Sequence, residues 1–285
     1  MLYLLFLQQA IASTTHVVTK YLVSDIAPPT LLLLRAFIAS LFFLSLIPLG
    51  KVKPKKVDKK DLLQILLLGL LNIPLNQFLF FISLKHTSAP NIALAYALTP
   101  AFVLLISIFF LKEKATLLKI IGVIIAFAGT TMILFEKGFD FSSDNFLGIN
   151  LGLLASFSWA LYTILGKKFV NKYGAVYTNL LAMVSGFIFF IPVFFAVKAP
   201  YNYNDFTLTQ WSLAIYLGVV TSGIAYILWY YALKKIEASK VAVFNNLQPV
   251  LTTILAIIFL GQTLTPLFVI GGLITLFGVY ITQKG

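Results

Sequence analysis

Cysteine is absent from the 285-residue chain, and acidic residues are scarce, with nine against 21 lysines and arginines. Without cysteine the chain cannot form a disulfide framework, a thiolate metal site or a cysteine nucleophile. No acidic residue falls in the interior of a hydrophobic stretch, so the common carboxylate proton relay or sodium site of membrane proteins is missing. Because the motifs of ATP binding, zinc proteolysis and serine hydrolysis are also missing, we expect no enzyme, no cofactor and no metal site.

Apolar residues dominate what is present. They make up 60% of the chain, charged residues make up 11%, and the mean hydropathy is +0.97. A soluble domain has about 25% charged residues, whereas a membrane helix needs roughly 20 apolar residues to cross the bilayer core. We therefore predict an all-α membrane protein with ten transmembrane helices. The predicted helices cover residues 2–23, 30–49, 61–84, 90–111, 115–135, 146–166, 175–197, 210–233, 239–260 and 264–282.

The second half of the chain repeats the first at an offset of 149 residues, which places Pro100 on Pro249 and Gly129 on Gly278. Each half holds five predicted helices, and an odd number of crossings makes the two halves inverted repeats. We assign residues 1–135 to the first five-helix repeat, 136–145 to a connecting loop and 146–285 to the second repeat. Inverted repeats of this kind are typical of secondary transporters, which bind substrate near the midplane at the repeat interface.

The lysines indicate the orientation. If the helices alternate in direction, sixteen of the 20 lysines lie on the side of the N-terminus, and the other four are Lys20, Lys85, Lys137 and Lys198. Cytoplasmic loops of membrane proteins carry the excess of basic residues. We therefore expect a multi-pass protein of the inner (cytoplasmic) membrane with both termini in the cytoplasm.

The late segment of each repeat carries a recognisable pattern. The first repeat reads Ala97-Leu-Thr-Pro100, then Phe-Leu-Lys-Glu113, with glycines at 122 and 129; the second reads Asn246-Leu-Gln-Pro249, then Phe-Leu-Gly-Gln262, with glycines at 271 and 278. With these motifs the whole chain resembles the EamA type of the drug/metabolite transporter superfamily. Lys20 and Arg35, in the first two helices, also match the usual placement of basic residues in that family. One departure is Gln262, where the second repeat commonly carries a glutamate like Glu113. The resemblance implies transport of amino acids, other small metabolites or drugs, often outward.

Two prolines point to the substrate site. Pro100 and Pro249 fall within the fourth and ninth predicted helices, where proline removes a backbone donor and frees the carbonyl four residues earlier. Those carbonyls belong to Tyr96 and Asn245, which are themselves repeat partners. An unpaired carbonyl is costly in lipid, so we expect both residues to line a central cavity; kinks satisfied by neighbouring hydroxyls are the alternative.

Polar and aromatic side chains recur on repeat-related helices. The first helix carries a polar face that includes His16, and the sixth carries one that includes Thr163, with Trp159 nearby. The third and eighth helices add amides and aromatics that could hold a polar head and an apolar body. Hydrogen bonds between helices are the alternative role for His16 and the asparagines. The residues predicted to bind substrate are Tyr96, Asn245, Asn76, Gln77, His16, Trp159, Thr163, Tyr226, Trp229 and Asn246.

Two charged residues are assigned structural roles. Arg35 is the one arginine and lies about 10 Å along the second helix, within reach of the outer surface. We therefore expect it to pair with the outer loops rather than to bind substrate. Glu113 is expected in the cytoplasmic interface beside two lysines.

The predicted function is a secondary, non-ATP transporter that exports a small amphipathic metabolite, with amino acids as the first expectation. Export proceeds by alternating access, either down the gradient of the substrate or with weak proton coupling through His16. A multidrug or lipophilic-cation exporter is one alternative, and a non-transporting membrane protein such as a channel or scramblase is another. We expect a small-molecule substrate and membrane lipids as partners, no nucleic acid, and a monomer or weak homodimer.

Overall fold

The computed structural model describes residues 2–86, 92, 95–135, 143–200, 203, 206–260 and 265–285, and within them the chain forms ten helices. The first five are α1 (Leu2–Leu22), α2 (Pro28–Ser45), α3 (Lys59–His86), α4 (Thr99–Phe110) and α5 (Leu117–Phe135). The next three are α6 (Ser143–Tyr173), α7 (Ala175–Ala196) and α8 (Leu208–Lys235). Helix α9 has three consecutive segments, Ala238–Ala242, Val243–Asn246 and Leu247–Leu260, and α10 covers Pro266–Lys284. Most of the predicted connecting loop, residues 136–142, and Gln262 lie outside the described residues.

Many of these helices are long and apolar enough to cross a membrane. Six of the described helices meet that criterion, namely α2, α3, α7, α8, α10 and residues Phe146–Tyr173 of α6. Two shorter apolar helices cover Ala95–Phe110 and Leu117–Met132. The all-helical fold with two inverted five-helix repeats is thereby confirmed, and the protein is a multi-pass membrane protein.

The two repeats interlock through equivalent contacts. Helix α1 packs against α9 of the other repeat, and α6 packs against α4 in the same way. Side chains 149 residues apart make these contacts: Thr99 bonds to Ser156 on α6 at 2.8 Å, and Gln248 bonds to His16 on α1 at 3.2 Å. Each first helix is therefore held by the fourth helix of the other repeat.

The fifth helix of each repeat, α5 and α10, packs closely against its counterpart. A Cβ atom added at Gly129 would lie 2.5 Å from the backbone nitrogen of Thr275 and 2.6 Å from the carbonyl oxygen of Gly271. Small residues let helices approach to backbone contact in membranes, where no hydrophobic force drives helices together. This pair forms a scaffold beside the rest of the bundle.

Four helices depart from regular α geometry at repeat-related places. Helices α3 and α8 each contain a π-helical segment, Leu71–Gln77 and Leu217–Ile224, and these include Pro74 and its partner Gly223. The chain makes a turn at Leu98, just before α4, and α9 is 3-10 helical at Val243–Asn246; these places lie shortly before Pro100 and Pro249. Both prolines therefore sit in the first turn of a new segment, where a missing N–H costs little. The predicted kinks occur as breaks between helical segments.

Candidate functional site

A cavity lies among the middle parts of the helices, beside all four irregular segments. Its volume, as available to water-sized molecules, is about 90 Å³. Residues from both repeats line it: Gln8, Ala12, Thr15, His16, Arg35, Asn76, Gln77, Phe80, Tyr96, Trp159, Thr221, Ala225, Tyr226 and Gln248. The lining combines amides, hydroxyls, an imidazole, a guanidinium and aromatic rings, which is typical of a site for a small molecule with polar and apolar parts.

The π-helical segment of α3 brings two amides into the cavity. Asn76 Nδ2 donates to the hydroxyl oxygen of Tyr96 at 2.7 Å and to the carbonyl of Ala155 on α6 at 2.8 Å. Gln77 Nε2 donates to the hydroxyl oxygen of Tyr226 at 3.3 Å and to Asn72 Oδ1 at 3.1 Å. Because π-helical turns shift side chains out of the regular helical register, they often mark functional sites.

The polar face of α1 meets α9 on another side of the cavity. His16 Nε2 lies 3.2 Å from Gln248 Oε1, and its ring meets Phe80 edge-on with centroids 5.2 Å apart. Further along α1, Gln9 Nε2 donates to Asn245 Oδ1 at 3.0 Å. The side-chain oxygen of Gln8 has no hydrogen-bond partner among the described residues.

Aromatic rings from α6 and α8 fill the space next to the cavity. Trp159 stacks on Tyr162 at 5.3 Å and meets Tyr226 edge-on at the same distance. Tyr162 in turn stacks on Tyr230 at 5.1 Å, and Trp229 Nε1 donates to Thr163 Oγ1 at 3.3 Å. Tyr162, Trp229 and Tyr230 are fully buried. Since α6 and α8 run onward to lysine-rich ends, this cluster separates the cavity from that side of the bundle.

Glu113 closes the same side, which we call the lysine-rich end because Lys167, Lys234 and Lys240 lie there. One of its oxygens accepts the N–H of Ala238 at 2.7 Å and lies 3.3 Å from Lys167 Nζ, and the other accepts the Ser239 hydroxyl at 2.8 Å. Burial by itself would raise the pKa of Glu113, but the hydrogen bonds from Ala238 and Ser239 and the charge of Lys167 outweigh it and lower that pKa. The carboxylate thus ties the end of α4 to α6 and to the N-terminus of α9.

Arg35 does not pair with the outer loops, contrary to expectation. Its guanidinium is buried, with 4% of the residue exposed, and lines the cavity. Arg35 Nε donates to Ser222 Oγ at 2.7 Å and Nη2 to Thr221 Oγ1 at 3.3 Å, both in the π-helical segment of α8. The position of Arg35 along the helix gives its depth below the surface but not the direction in which its side chain points. The packing of α2 on α8 directs the side chain toward the cavity.

The structure brings together most of the predicted site residues. Six of the ten line the cavity: Tyr96, Asn76, Gln77, His16, Trp159 and Tyr226. The other four lie behind the lining. Thr163 and Trp229 bond to each other, Asn245 bonds to Gln9, and Asn246 is fully buried with no partner for its side chain among the described residues.

Sequence reasoning missed several lining residues besides Arg35, although signals were available for some. Phe80 lies four residues after Asn76 and so shares its helical face. Gln248 lies within the motif used to align the repeats. Gln8, Ala12, Thr15 and Ala225 carried no signal of their own. Among the described residues, no three histidine or acidic side chains cluster in a way that could hold a metal ion.

Comparisons with known proteins agree with this architecture. The sequence model of the EamA-like transporter family matches residues 1–135 and 146–283. An uncharacterized transporter of Archaeoglobus fulgidus is 32% identical over 93% of this chain and 92% of its own length. A probable terminal-alkyne amino-acid exporter of Streptantibioticus cattleyicolor is 25% identical over 83% of this chain and 77% of its own. One solved crystal structure superposes with a TM-score of 0.83 over 99% of this chain and 96% of its own, and at 17% identity it shows the fold alone.

Proposed function

Because this chain belongs to the EamA-like transporter family, a family of transporters rather than enzymes, we propose that it exports a small amphipathic metabolite, in the first place an amino acid. Transport is secondary, without ATP, and proceeds by alternating access through the central cavity. The protein resides in the cytoplasmic membrane, and its lysine-rich end and both termini face the cytoplasm, as the distribution of basic residues favours.

The observation that carries the proposal is the cavity itself, because both repeats contribute to it. Gln77 and Tyr226, which are repeat partners, meet there, and the irregular segments of α3, α4, α8 and α9 border it. Transporters built from inverted repeats place the substrate at such an interface, where broken helices offer polar groups at membrane depth.

The chemistry of the lining supports an amphipathic substrate. Trp159 and Phe80 offer aromatic faces to an apolar body, and Asn76 and Gln77 offer amides to a polar head. The oxygen of Gln8, which has no partner among the described residues, is available to accept a hydrogen bond from an amino group. The S. cattleyicolor relative, a probable exporter of an amino acid, agrees with this choice of substrate.

The conformation in hand is closed at the lysine-rich end. The aromatic cluster of α6 and α8 and the Glu113 contacts would have to separate for a molecule to enter the cavity from the cytoplasm. Alternating access then consists of breaking these contacts on one side while equivalent helices close the other. Lipophilic cations suit the lining less well, because its charged group is the cation Arg35 and no described carboxylate lines the cavity.

Counterflow in proteoliposomes tests the proposal. Vesicles that contain the purified protein are loaded with one unlabelled amino acid and diluted into the labelled form, across a panel of amino acids. We expect label to accumulate for at least one apolar or aromatic amino acid. Tyr96→Ala and Asn76→Ala, which alter the cavity lining, should abolish accumulation while the protein still folds, whereas Tyr280→Ala, on the exposed surface of α10, should preserve it. Absence of accumulation across the panel, or undiminished counterflow in both site variants, contradicts the proposal.

A further inference from the structure

Arg35 is a buried cation without a described anionic partner. The ion pairs of the described residues involve Lys119, Lys167, Lys172 and Lys240, and Arg35 takes part in none of them. Its contacts are two hydroxyl groups and the ring of Phe81, whose centroid lies 5.9 Å from the guanidinium carbon. A charge inside a membrane protein is costly without compensation and usually marks a functional site.

Most of the hydrogen-bonding capacity of Arg35 is unused. A guanidinium has five N–H donors, and the described contacts of Arg35 engage two of them. The bound hydroxyls of Thr221 and Ser222 hold the group in place on α8 while it borders the cavity. The rigid fork of the remaining donors matches the two oxygens of a carboxylate, which an arginine binds through paired hydrogen bonds.

Two tyrosines that line the same cavity add hydrogen-bond donors. The hydroxyl oxygen of Tyr96 accepts from Asn76, and that of Tyr226 accepts from Gln77. Each hydroxyl also carries one hydrogen, which no described acceptor engages. The cavity therefore presents a cation and two hydroxyl donors without an anion to receive them.

The internal repeat shows that packing alone does not require this charge. Arg35 meets Thr221 on α8, and the repeat partner of Thr221 is Asn72 on α3, which donates to the sulfur of Met183 at 3.3 Å. Met183 lies on α7, the second helix of the second repeat. The equivalent junction between α7 and α3 is thus built with an uncharged side chain.

We propose that Arg35, with the hydroxyl groups of Tyr96 and Tyr226, binds the carboxylate of the substrate, and that the cavity takes small carboxylate-bearing molecules with an apolar or aromatic body. This inference rests on the proposed function, since it names the group that the same cavity recognises. It excludes esters, amides and amines of the same shape as good substrates.

The test compares matched ligands by two readouts. The probes are L-phenylalanine, L-leucine and 3-phenylpropionate, with the methyl ester of each and with phenethylamine. Binding is measured as thermal stabilisation of the purified protein, and transport is measured as competition in counterflow. Each acid should bind about tenfold to a hundredfold more tightly than its ester, as expected for hydrogen bonds to a charged group.

The variants assign that preference to Arg35. Arg35→Met removes the charge but keeps an unbranched side chain, and it should remove the preference for acids over esters. Arg35→Lys keeps the charge but loses the fork, and it should bind acids about tenfold more weakly. Lys20→Met removes an exposed charge and should leave the preference unchanged.

The outcomes separate this inference from the proposed function. If the acids stabilise the wild type in preference to their esters but none is transported, the carboxylate site stands and the transport proposal fails. If amino acids are transported but the wild type treats acid and ester alike, or Arg35→Met still prefers the acid, the carboxylate inference is overturned. Should Arg35→Met not fold, the acid–ester comparison on the wild type and Arg35→Lys decides.

Discussion

Gln77 Nε2 donates a hydrogen bond to the hydroxyl of Tyr226 at 3.3 Å, and the two residues are 149 positions apart, which is the period of the internal repeat. Two residues that occupy equivalent places in the repeats touch each other only near the axis that relates those repeats. This contact therefore marks the centre of the molecule, and it lies in the wall of the cavity. Any motion of one repeat relative to the other must therefore change or preserve this hydrogen bond.

The contact between Gln77 and Tyr226 should couple the repeats. Tyr226→Phe removes the hydroxyl and keeps the ring, and Gln77→Leu removes the amide. A buried hydrogen bond contributes about 1 kcal/mol net, so a double-mutant cycle of thermal stability should give a coupling of about that size. The pair Thr99 and Tyr226, which share no contact, serves as the control and should be additive. Additivity of Gln77→Leu and Tyr226→Phe would show that the contact is not formed.

Glu113 should stabilise the conformation closed at the lysine-rich end. Its side chain is 6% exposed, and hydrogen bonds to charged groups contribute about 1.5–3 kcal/mol, so Glu113→Gln should lower the stability by an amount in that range. Since the pKa of Glu113 is lowered in the folded protein, its contribution is present above the unfolded value of about 4.3 and is lost as the pH falls through the folded value.

Thermal unfolding of the wild type and Glu113→Gln between about pH 7 and pH 3 measures this. The difference between the two proteins should stay constant at neutral pH and shrink only below the ordinary range of glutamate. Asp58→Asn is the control, because Asp58 and its partner Lys172 are 50% and 40% exposed and such an exposed pair should contribute little. Equal effects of the two substitutions would contradict a special role for Glu113.

The α5–α10 junction should tolerate no added side chain. Gly129→Ala would place a Cβ atom 2.5 Å from the backbone nitrogen of Thr275, so the helices must move apart, at a cost of about 1–3 kcal/mol. Gly272→Ala on α10 is the control, since its Cβ would meet only Val250 at 3.9 Å and alanine favours helix by about 1 kcal/mol. Differential scanning fluorimetry should show a lower transition temperature for the first variant alone; equal temperatures would argue against the close junction.

His16 tests the predicted weak proton coupling. It touches Gln248 and Phe80 and shares its cavity with Arg35, Tyr96 and Tyr226. Histidine is the side chain that ordinarily takes up and releases protons in transport, so proton coupling through His16 should make counterflow by the wild type depend on pH. His16→Gln should transport at a rate that no longer varies with pH. If His16→Gln leaves both the rate and the pH profile unchanged, the proton role is wrong.

Local patterns were enough to predict the helices and the place of the cavity. Long apolar stretches and charge clusters define the spans, because each span must satisfy the same bilayer thickness. The prolines at 100 and 249 pointed to the breaks in α4 and α9, since proline cannot continue the hydrogen-bond ladder. Alignment of the repeats then selected residues such as Asn76, Gln77 and Tyr226, which line the cavity.

Other features depend on contacts between distant segments. Nothing in the neighbourhood of Arg35 along the chain shows that it would meet Thr221 and Ser222, 186 and 187 residues away. The place of Asn245 behind the lining follows from its bond to Gln9 across 236 residues. The direction in which a helix rotates its side chains is set by its neighbours, and those neighbours belong to the other repeat.

The sequence alone determined the number of helices, their inverted duplication and the distribution of lysines between the two sides. These properties depend on composition and on the repeat period, and the bilayer imposes them on each segment whatever its tertiary contacts. Tertiary structure alone decided that α2 turns its arginine toward the cavity and that Gln77 meets Tyr226 at the centre. The rotation and depth of each helix are set by close packing between the repeats. The position of Arg35 in the cavity could therefore be seen only in the tertiary structure.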